Sequence, residues 1–354
     1  MDTNTGMVLH GKMDMRLQSL PVPELKGNDV LLRMSSVGIC GSDIKYWTHG
    51  YCGMFTLKSP MVLGHEASGT VVKLGPDVKH LHVGDRVAVE PGVSCRRCRI
   101  CFAGRYNLCP AMRFCATPPV DGNICGLFAH PEDFCFKLPD HVTDDEGALM
   151  EPLAVAVHAC RRGGVKSGHR VLVCGAGPVG ILCMWVAKEL GALAVLVTDI
   201  DDFRLDYAKS QGADQVVNVL NKSEPDVAKE VSQLLGDRPD VTIECSGSDF
   251  SMRLGIHATF PGGAVVQVGR GTPAPETPLN MAATKEVDIK GVFRYANCYP
   301  QAVQLVSSGR LPRLASLVTH HFKMADTEKA FDTARSRDAK AIKVMIHCDT
   351  EYKA

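Results

Sequence analysis

No stretch of this 354-residue chain reaches the roughly 18 consecutive apolar residues that a membrane-spanning helix requires. The N-terminus, MDTNTGMVLHGKMDM, lacks the basic-then-apolar order of a secretory signal. Neither sign of charge is in surplus. The 39 Lys and Arg are matched by 39 Asp and Glu, which leaves no electrostatic case for nucleic acid or an anionic membrane as partner. Internal repeats, low-complexity tracts and long flexible linkers are missing too. What remains is the profile of a globular protein, 45% hydrophobic and long enough for about two domains.

Cysteine is not scarce. The count of 15 is odd, and four cysteines are clustered at metal spacing, so the expected compartment is reducing and cytoplasmic. Those four, Cys95, Cys98, Cys101 and Cys109, follow C-x2-C-x2-C-x7-C in a loop rich in Arg and Gly. Four thiolates saturate a tetrahedral zinc and leave no position for substrate, which suits a structural ion. A zinc-finger-like nucleic-acid module is the weaker reading, because Arg96, Arg97, Arg99 and Arg105 stand in a neutral chain.

A second ligand set is scattered: Cys40 in GICGSD, His65 and Glu66 in GHE, and Glu151 in MEPLA. Taken singly, Cys40 reads as a small buried hydrophobe and His65 as a structural histidine. Taken together, and bracketed by Gly38, Gly41, Gly64 and Gly69, they read as a zinc site with one position open to water or an alcohol. Glu66 adjoins an apolar stretch, where burial without a cation would be costly. Glu151, beside Pro152, has the same character. The expectation is therefore two zinc ions per chain, one for shape and one for chemistry.

Residues 1 to about 150 read as β-rich, with short apolar or alternating runs at 29–34, 67–72 and 85–89 between Gly, Pro and Asn/Asp turns. From about 154 the pattern alternates: helix 154–160, strand 170–174, helix 179–190, strand 194–198, helix 203–211, then apolar runs at 241–243 and 264–268. Such alternation predicts a doubly wound parallel sheet in an α/β chain. After about 293, a helical stretch at 299–306 precedes short strand-like pieces ending at 341–346.

The strand pattern Val171–Cys174 runs straight into Gly175-Ala-Gly177-Pro-Val-Gly180, and a helix pattern follows at once. The first glycine permits the turn, the second admits a pyrophosphate against backbone, and the third lets helix and strand pack closely. The phosphates would sit on the helix N-terminus. The motif alone is weak, but the next strand ends in Asp199, nineteen residues past Gly180. A carboxylate there accepts from the ribose diol of NAD and repels the 2′-phosphate of NADP. Its alternative role is to cap the helix that follows, which Asp201 or Asp202 could do as well. Arg204, one turn on, reads as a contact to adenine or phosphate, or as a solvated helix arginine.

Gly64-His-Glu-Ala-Ser-Gly69 through Gly75 and Val78 resembles the zinc signature of the medium-chain alcohol dehydrogenases. GICGSD, GDRV at 84–87, the cysteine string, MEPLAVAVHA, VLVCGAGPVG and EVDIKGVFRY extend that resemblance over nearly the whole chain. Glu66, Glu151, FCATPPVDGN at 114–123 and Val292-Phe-Arg-Tyr295 are similar to its sorbitol (polyol) dehydrogenase branch. The resemblance implies a discontinuous GroES-like catalytic domain at 1–153 and 293–354, a Rossmann NAD-binding domain at 154–292, and a homotetramer. It implies catalytic zinc on Cys40, His65 and Glu66, with Glu151 beside the fourth-position water or exchanging onto the metal. Tyr46, Glu151, Arg294 and Tyr295 match substrate contacts. Val179, Asp199, Arg204, Val268, Gly269, Arg270, Val292, Phe293 and Arg294 match NAD contacts.

The expected activity is NAD-dependent interconversion of a polyol, such as sorbitol or xylitol, with its 2-ketose. Zinc would act as Lewis acid at the oxygen, and Glu151 through water or Ser42 in a relay could carry the proton. Members of the sorbitol branch exist without the four cysteines that this chain carries. Other substrates (L-arabinitol, L-threonine, simple alcohols) therefore stay open, as does a catalytically silent dinucleotide-binding protein. Loss of Cys40, His65 or Glu66 would have favoured the silent reading, and none is lost.

Overall fold

A computed structural model describes residues 3–272 and 274–349. It divides into two compact units. The first comprises Met1–Glu151, Tyr299–Ser308 and Arg313–Ala354, and the second Pro152–Cys298 and Gly309–Pro312. Against the sequence-based limits at 153/154 and 292/293, residues 152–153, 293–298 and 309–312 group with the second unit. No helix among the described residues is long and apolar enough to cross a membrane.

The second unit is built on six parallel strands. Across the sheet they run Gln215–Asn218, Ala194–Asp199, Arg170–Cys174, Val241–Glu244, Ala264–Gln267 and Asp288–Gly291. Counted along the chain, that is the order 3-2-1-4-5-6, whose reversal beside the first strand marks where dinucleotides bind in such sheets. Val171 to Cys174 are fully buried, as expected of a central parallel strand covered on both faces. The helix Pro178–Glu189 starts with Gly177 as N-cap and proline in its first turn, and Ile181 to Ala187 are buried. Gly180 is required where that helix crosses the strand, because a Cβ would collide with the Gly175 carbonyl. The helices Glu224–Leu235 and Asp249–Ala258 are further elements that the sequence pattern does not single out.

In the first unit, Asp29–Gly38 is the central strand. It pairs antiparallel with Glu66–Leu74, Leu127–Pro131 and Lys343–His347. Outside these lie Arg86–Val89, Cys135–Lys137 and Val318–Lys323. The expected strands at 29–34, 67–72 and 85–89 are present, and the C-terminal strand brings residues more than 270 positions away onto the central one. Gly38 is paired on one side with Glu66 and on the other with Met345. A Cβ at Gly38 would collide with the Glu66 carboxylate. Glycine at the end of the central strand leaves that space to the acidic side chain. The helix Thr327–Arg335, which the sequence pattern does not single out, sets Phe331 edge-on against Trp47 at 5.5 Å.

Candidate metal and dinucleotide sites

The cysteine lobe is a short helix, Arg99–Phe102, and a turn at Tyr106–Leu108 wrapped around four sulfurs. All four lie within 4.8 Å of one another. Cys98 Sγ is 3.5 Å from Cys101 Sγ and 4.0 Å from Cys109 Sγ, and Cys95 Sγ is 3.9 Å from Cys101 Sγ. Four sulfurs on a tetrahedral zinc at 2.3 Å would stand about 3.8 Å apart, so the lobe has the size of that ion. A backbone donor at Arg97 draws the Cys95 thiol down to about 6, while burial pushes Cys109 up to about 11. One thiol of the set thus ionises readily even without an ion.

The second cluster grows from two strand ends. Cys40 follows the central strand as N-cap of the helix Gly41–His49, and Glu66 opens the strand that pairs with Gly38. Ligand atoms of Cys40, His65 and Glu66 lie within 4.8 Å of one another. A thiolate, an imidazole and a carboxylate fit zinc with a fourth position left over. Asp43, fully buried, organises them. Its Oδ2 accepts from the Cys40 N–H at 3.0 Å, its Oδ1 from the Gly64 N–H at 3.4 Å, and Oδ1 lies 3.3 Å from His65 Nδ1. Burial alone would lower the His65 pKa, but Asp43 and Cys40 outweigh it and hold the imidazole well above its ordinary value. The pocket is built to keep a positive charge.

Lys343 supplies another. It is 3% exposed, its Nζ donates to the Ile39 carbonyl at 3.0 Å, and it forms a close ion pair with Glu66 Oε2. Burial opposes its charge, but Glu66, Cys40 and Glu151 hold its pKa up. Glu151 is 5% exposed, in the first turn of the helix Met150–Gly163, and stands outside the three-residue cluster. Ser42 is half-buried in the first turn of Gly41–His49, and Tyr46 is buried one turn further on. Neither Asp43 nor Lys343 was singled out from the sequence, although a lysine inside the apolar run AIKVMIH is a signal that could have found it.

In the second unit, Asp199 Oδ2 accepts from the Ala176 N–H at 2.7 Å, and its Oδ1 accepts from Ile200 and Asp201. The carboxylate therefore pins the glycine loop to the neighbouring strand. The helix N-cap is Asp201, accepting from Arg204 N, so Asp199 is not needed there. The Arg204 guanidinium lies beside Gly177, where a Cβ would come within 3.2 Å of it. That helix N-terminus and that cation together could hold a pyrophosphate. Glu244, nearly fully buried and also missed from the sequence, accepts from the Ser246 and Gly247 N–H groups and through its carbonyl from Val268 and Gly269. Arg270 and Arg294 each place a guanidinium 4.6 Å from the Phe293 ring centroid. Arg294 adopts φ +56°, a strained backbone for a residue with a side chain. Val179 opens the glycine-loop helix, Val292 donates to the Gln267 carbonyl, and Tyr295 is buried.

A family model described as the alcohol dehydrogenase GroES-like domain matches residues 26–140, and one described as zinc-binding dehydrogenase matches residues 178–308. The chain is 54% identical to the sorbitol dehydrogenase of Rattus norvegicus over 346 residues, 98% of this chain and 96% of that one. It is 52% identical to that of Homo sapiens over the same share of each. Among solved structures, L-idonate 5-dehydrogenase from Escherichia coli aligns with TM-score 0.89 and 32% identity over 98% of both chains. The 2R,3R-butanediol dehydrogenase of Bacillus subtilis aligns with TM-score 0.88 and 28% identity, over 98% of this chain and 100% of that one.

One buried acid ties the cysteine lobe to the sheet. Glu90 is 2% exposed and accepts from the Tyr106 hydroxyl at 2.6 Å. Burial pushes its carboxyl up to about 7, against the pull of Tyr106, and Glu151 and Asp133 push further. A carboxyl held above its unfolded value stabilises the fold fully below about pH 4.5, and that stability is lost as pH rises through about 7. The loss is at most about 3 kcal/mol. Glu90→Gln, which keeps an acceptor for Tyr106 and stays neutral, should therefore melt higher than wild type at pH 8 and show little difference at pH 5. Equal melting temperatures at both pH values would place the Glu90 carboxyl in its ordinary range.

Proposed function

The chain belongs to the zinc-containing medium-chain alcohol dehydrogenases, and on that premise we propose that it interconverts a polyol, such as sorbitol or xylitol, with its 2-ketose. The observation that carries this reading is the gathering of one thiolate, one imidazole and one carboxylate in a chain so similar to enzymes named sorbitol dehydrogenase. Three such ligands, rather than four, leave a position for a hydroxyl.

Cys40, His65 and Glu66 would hold a zinc ion that supplies Lewis acidity at the oxygen of the carbon being oxidised, with NAD as the hydride acceptor. The remaining work falls to side chains. Asp43 fixes the His65 ring and the Cys40 backbone, so both ligands are set before substrate arrives. Lys343 offsets the Glu66 charge, which makes Glu66 a weaker donor than an unpaired carboxylate and leaves the site more electrophilic. The hydroxyl proton leaves through Ser42 or through water to Glu151, and returns by the same route in ketose reduction. Tyr46, Glu151, Arg294 and Tyr295 bind the other hydroxyls. The Gly175–Gly180 loop with Arg204 takes the pyrophosphate, Asp199 the adenosine ribose, and Val268 to Arg270 with Val292 to Arg294 the rest of the dinucleotide. Cys95, Cys98, Cys101 and Cys109 would hold a second, structural zinc. The protein works in the cytoplasm as a homotetramer. NADH formation screened across sorbitol, xylitol, ribitol, L-threonine and ethanol tests the whole reading.

Metal analysis should return about two zinc ions per chain. Cys109→Ser should lose one of them, with lower stability but persisting hydride transfer. A protein holding one zinc with its cysteine lobe filled would have no catalytic metal.

Asp199→Ala should weaken NAD use and improve the relative use of NADP, since it removes a ribose acceptor and a charge opposing the 2′-phosphate. Steady-state kinetics with both cofactors decide this. A wild type that already prefers NADP removes the role given to Asp199.

Polyol preference follows from the polar lining. Buried polar groups that a small substrate leaves unpaired cost roughly 1–3 kcal/mol each. Sorbitol or xylitol should then exceed ethanol in kcat/KM by at least about a hundredfold, on the order of two lost pairings. Arg294→Ala should erode that ratio more than it weakens NAD binding. Equal turnover of ethanol and sorbitol would defeat the polyol assignment while leaving a zinc dehydrogenase standing.

A further inference from the structure

A third group of metal-type side chains lies in the first unit and shares no residue with either set above. Asp145 sits on the short helix Asp144–Ala148, which a reciprocal Thr143–Glu146 cap holds in place. His321 lies on the strand Val318–Lys323 and His347 at the end of the parallel strand Lys343–His347. Ligand atoms of the three lie within 4.8 Å of one another. His321 Nδ1 is 3.0 Å from His347 Nε2 and 3.6 Å from Asp145 Oδ2, and Asp145 Oδ1 is 3.8 Å from His347 Nδ1. Asp145 and His347 also line a cleft of about 340 Å³, together with Ser35, Asp144 and Asp349.

We propose that Asp145, His321 and His347 form an additional binding site for a divalent transition-metal ion of the zinc and nickel type. Two donors on an ion at about 2.1 Å stand about 3.0 Å apart at right angles and about 3.4 Å apart in a tetrahedron. The separations of 3.0 and 3.6 Å bracket that range. Ser36, buried on the central strand, donates to Asp145 Oδ1 at 2.6 Å, which fixes the carboxylate and leaves Oδ2 toward His321. A hydrogen-bonded second oxygen is the usual support of a ligating carboxylate. The two imidazole nitrogens share one hydrogen in the ion-free arrangement. The donor ring frees its lone pair for an ion by taking the opposite tautomer. Two imidazoles and one carboxylate select zinc, nickel or copper over magnesium or calcium. The cleft leaves the remaining positions to water, so the site reads as a clasp and not as a second catalytic centre. It would tie the two C-terminal strands to the helix 144–148 and, through Ser36, to the central strand.

The test counts ions on the full-length protein purified without chelator. Wild type, His321→Ala and Asp145→Asn are equilibrated with excess Zn2+ or Ni2+, freed of unbound ion and analysed for metal. Wild type should hold one ion per chain more than His321→Ala, and added Ni2+ should raise the melting temperature of wild type but not of that variant. His321 is 36% exposed at its side chain, so its loss opens no core. Should it nonetheless disturb the strand, Asp145→Asn, which keeps an acceptor for Ser36, should still weaken Ni2+ binding at least about tenfold. NADH formation should be unchanged in both variants. Equal ion counts and equal thermal shifts in wild type and variants would overturn the proposal. The count does not depend on which alcohol is oxidised, so it stands or falls apart from the polyol reading.

Discussion

The first unit depends on how a buried carboxylate is accommodated where three strands meet. Glu66 is 2% exposed, and within reach of the same cluster lie Cys40, the fully buried Asp43 and Glu151. Several kcal/mol per ion would be lost if these acids were buried without cations. One cation comes from the chain, Lys343. The other comes at His65, as the proton that Asp43 and Cys40 favour on its imidazole or as a zinc ion in that proton's place. This constraint reaches far into the sequence. Gly38 leaves room for the Glu66 carboxylate, and the C-terminal strand returns to deliver Lys343. Asp43 must cap a helix on the residue that supplies the thiolate.

That arrangement also explains which parts of the site were legible in the sequence. Cys40, His65 and Glu66 carry ligand chemistry in their names and stand in glycine-rich surroundings, so their gathering could be read off. Their supports could not. Asp43 is an ordinary aspartate until the helix start turns it back onto its own N-cap, and Lys343 is 277 residues from the carboxylate it pairs with. Asp145, His321 and His347 come from three separate elements, with no local spacing to announce them. Local pattern shows what a residue can do, but only long-range pairing shows whom it meets.

The second unit was more legible because its function rests on backbone. A glycine that a helix crosses, a turn at φ +103° and a helix opening on proline are local demands, and GAGPVG meets them within six residues. Strand limits there came within a residue of expectation, because buried parallel strands are continuous apolar runs, whereas the helix expected at 154–160 runs Met150–Gly163. The lapses were amphipathic or short: the helices 224–235, 249–258 and 279–284 and the edge strands 215–218 and 288–291. Asp199 shows how one side chain can serve two ends. It holds Ala176, Ile200 and Asp201 with three of its roughly four acceptor positions, leaving one for a ribose hydroxyl. The carboxylate that places the loop is the one proposed to hold the ribose.

Fifteen free cysteines make the same point about context within one residue type. Cys125, Cys174, Cys183 and Cys348 are fully buried, and their thiols are pushed upward, Cys348 to about 12. Burial is the leading cause for three of them, and for Cys183 it adds to contact with Cys160. At neutral pH such groups pack as small hydrophobes and are poor nucleophiles. Cys95 sits in a lobe of backbone donors and falls to about 6. Metal affinity requires thiolate, so Cys95 is better prepared for an ion than the cysteines packed in the core.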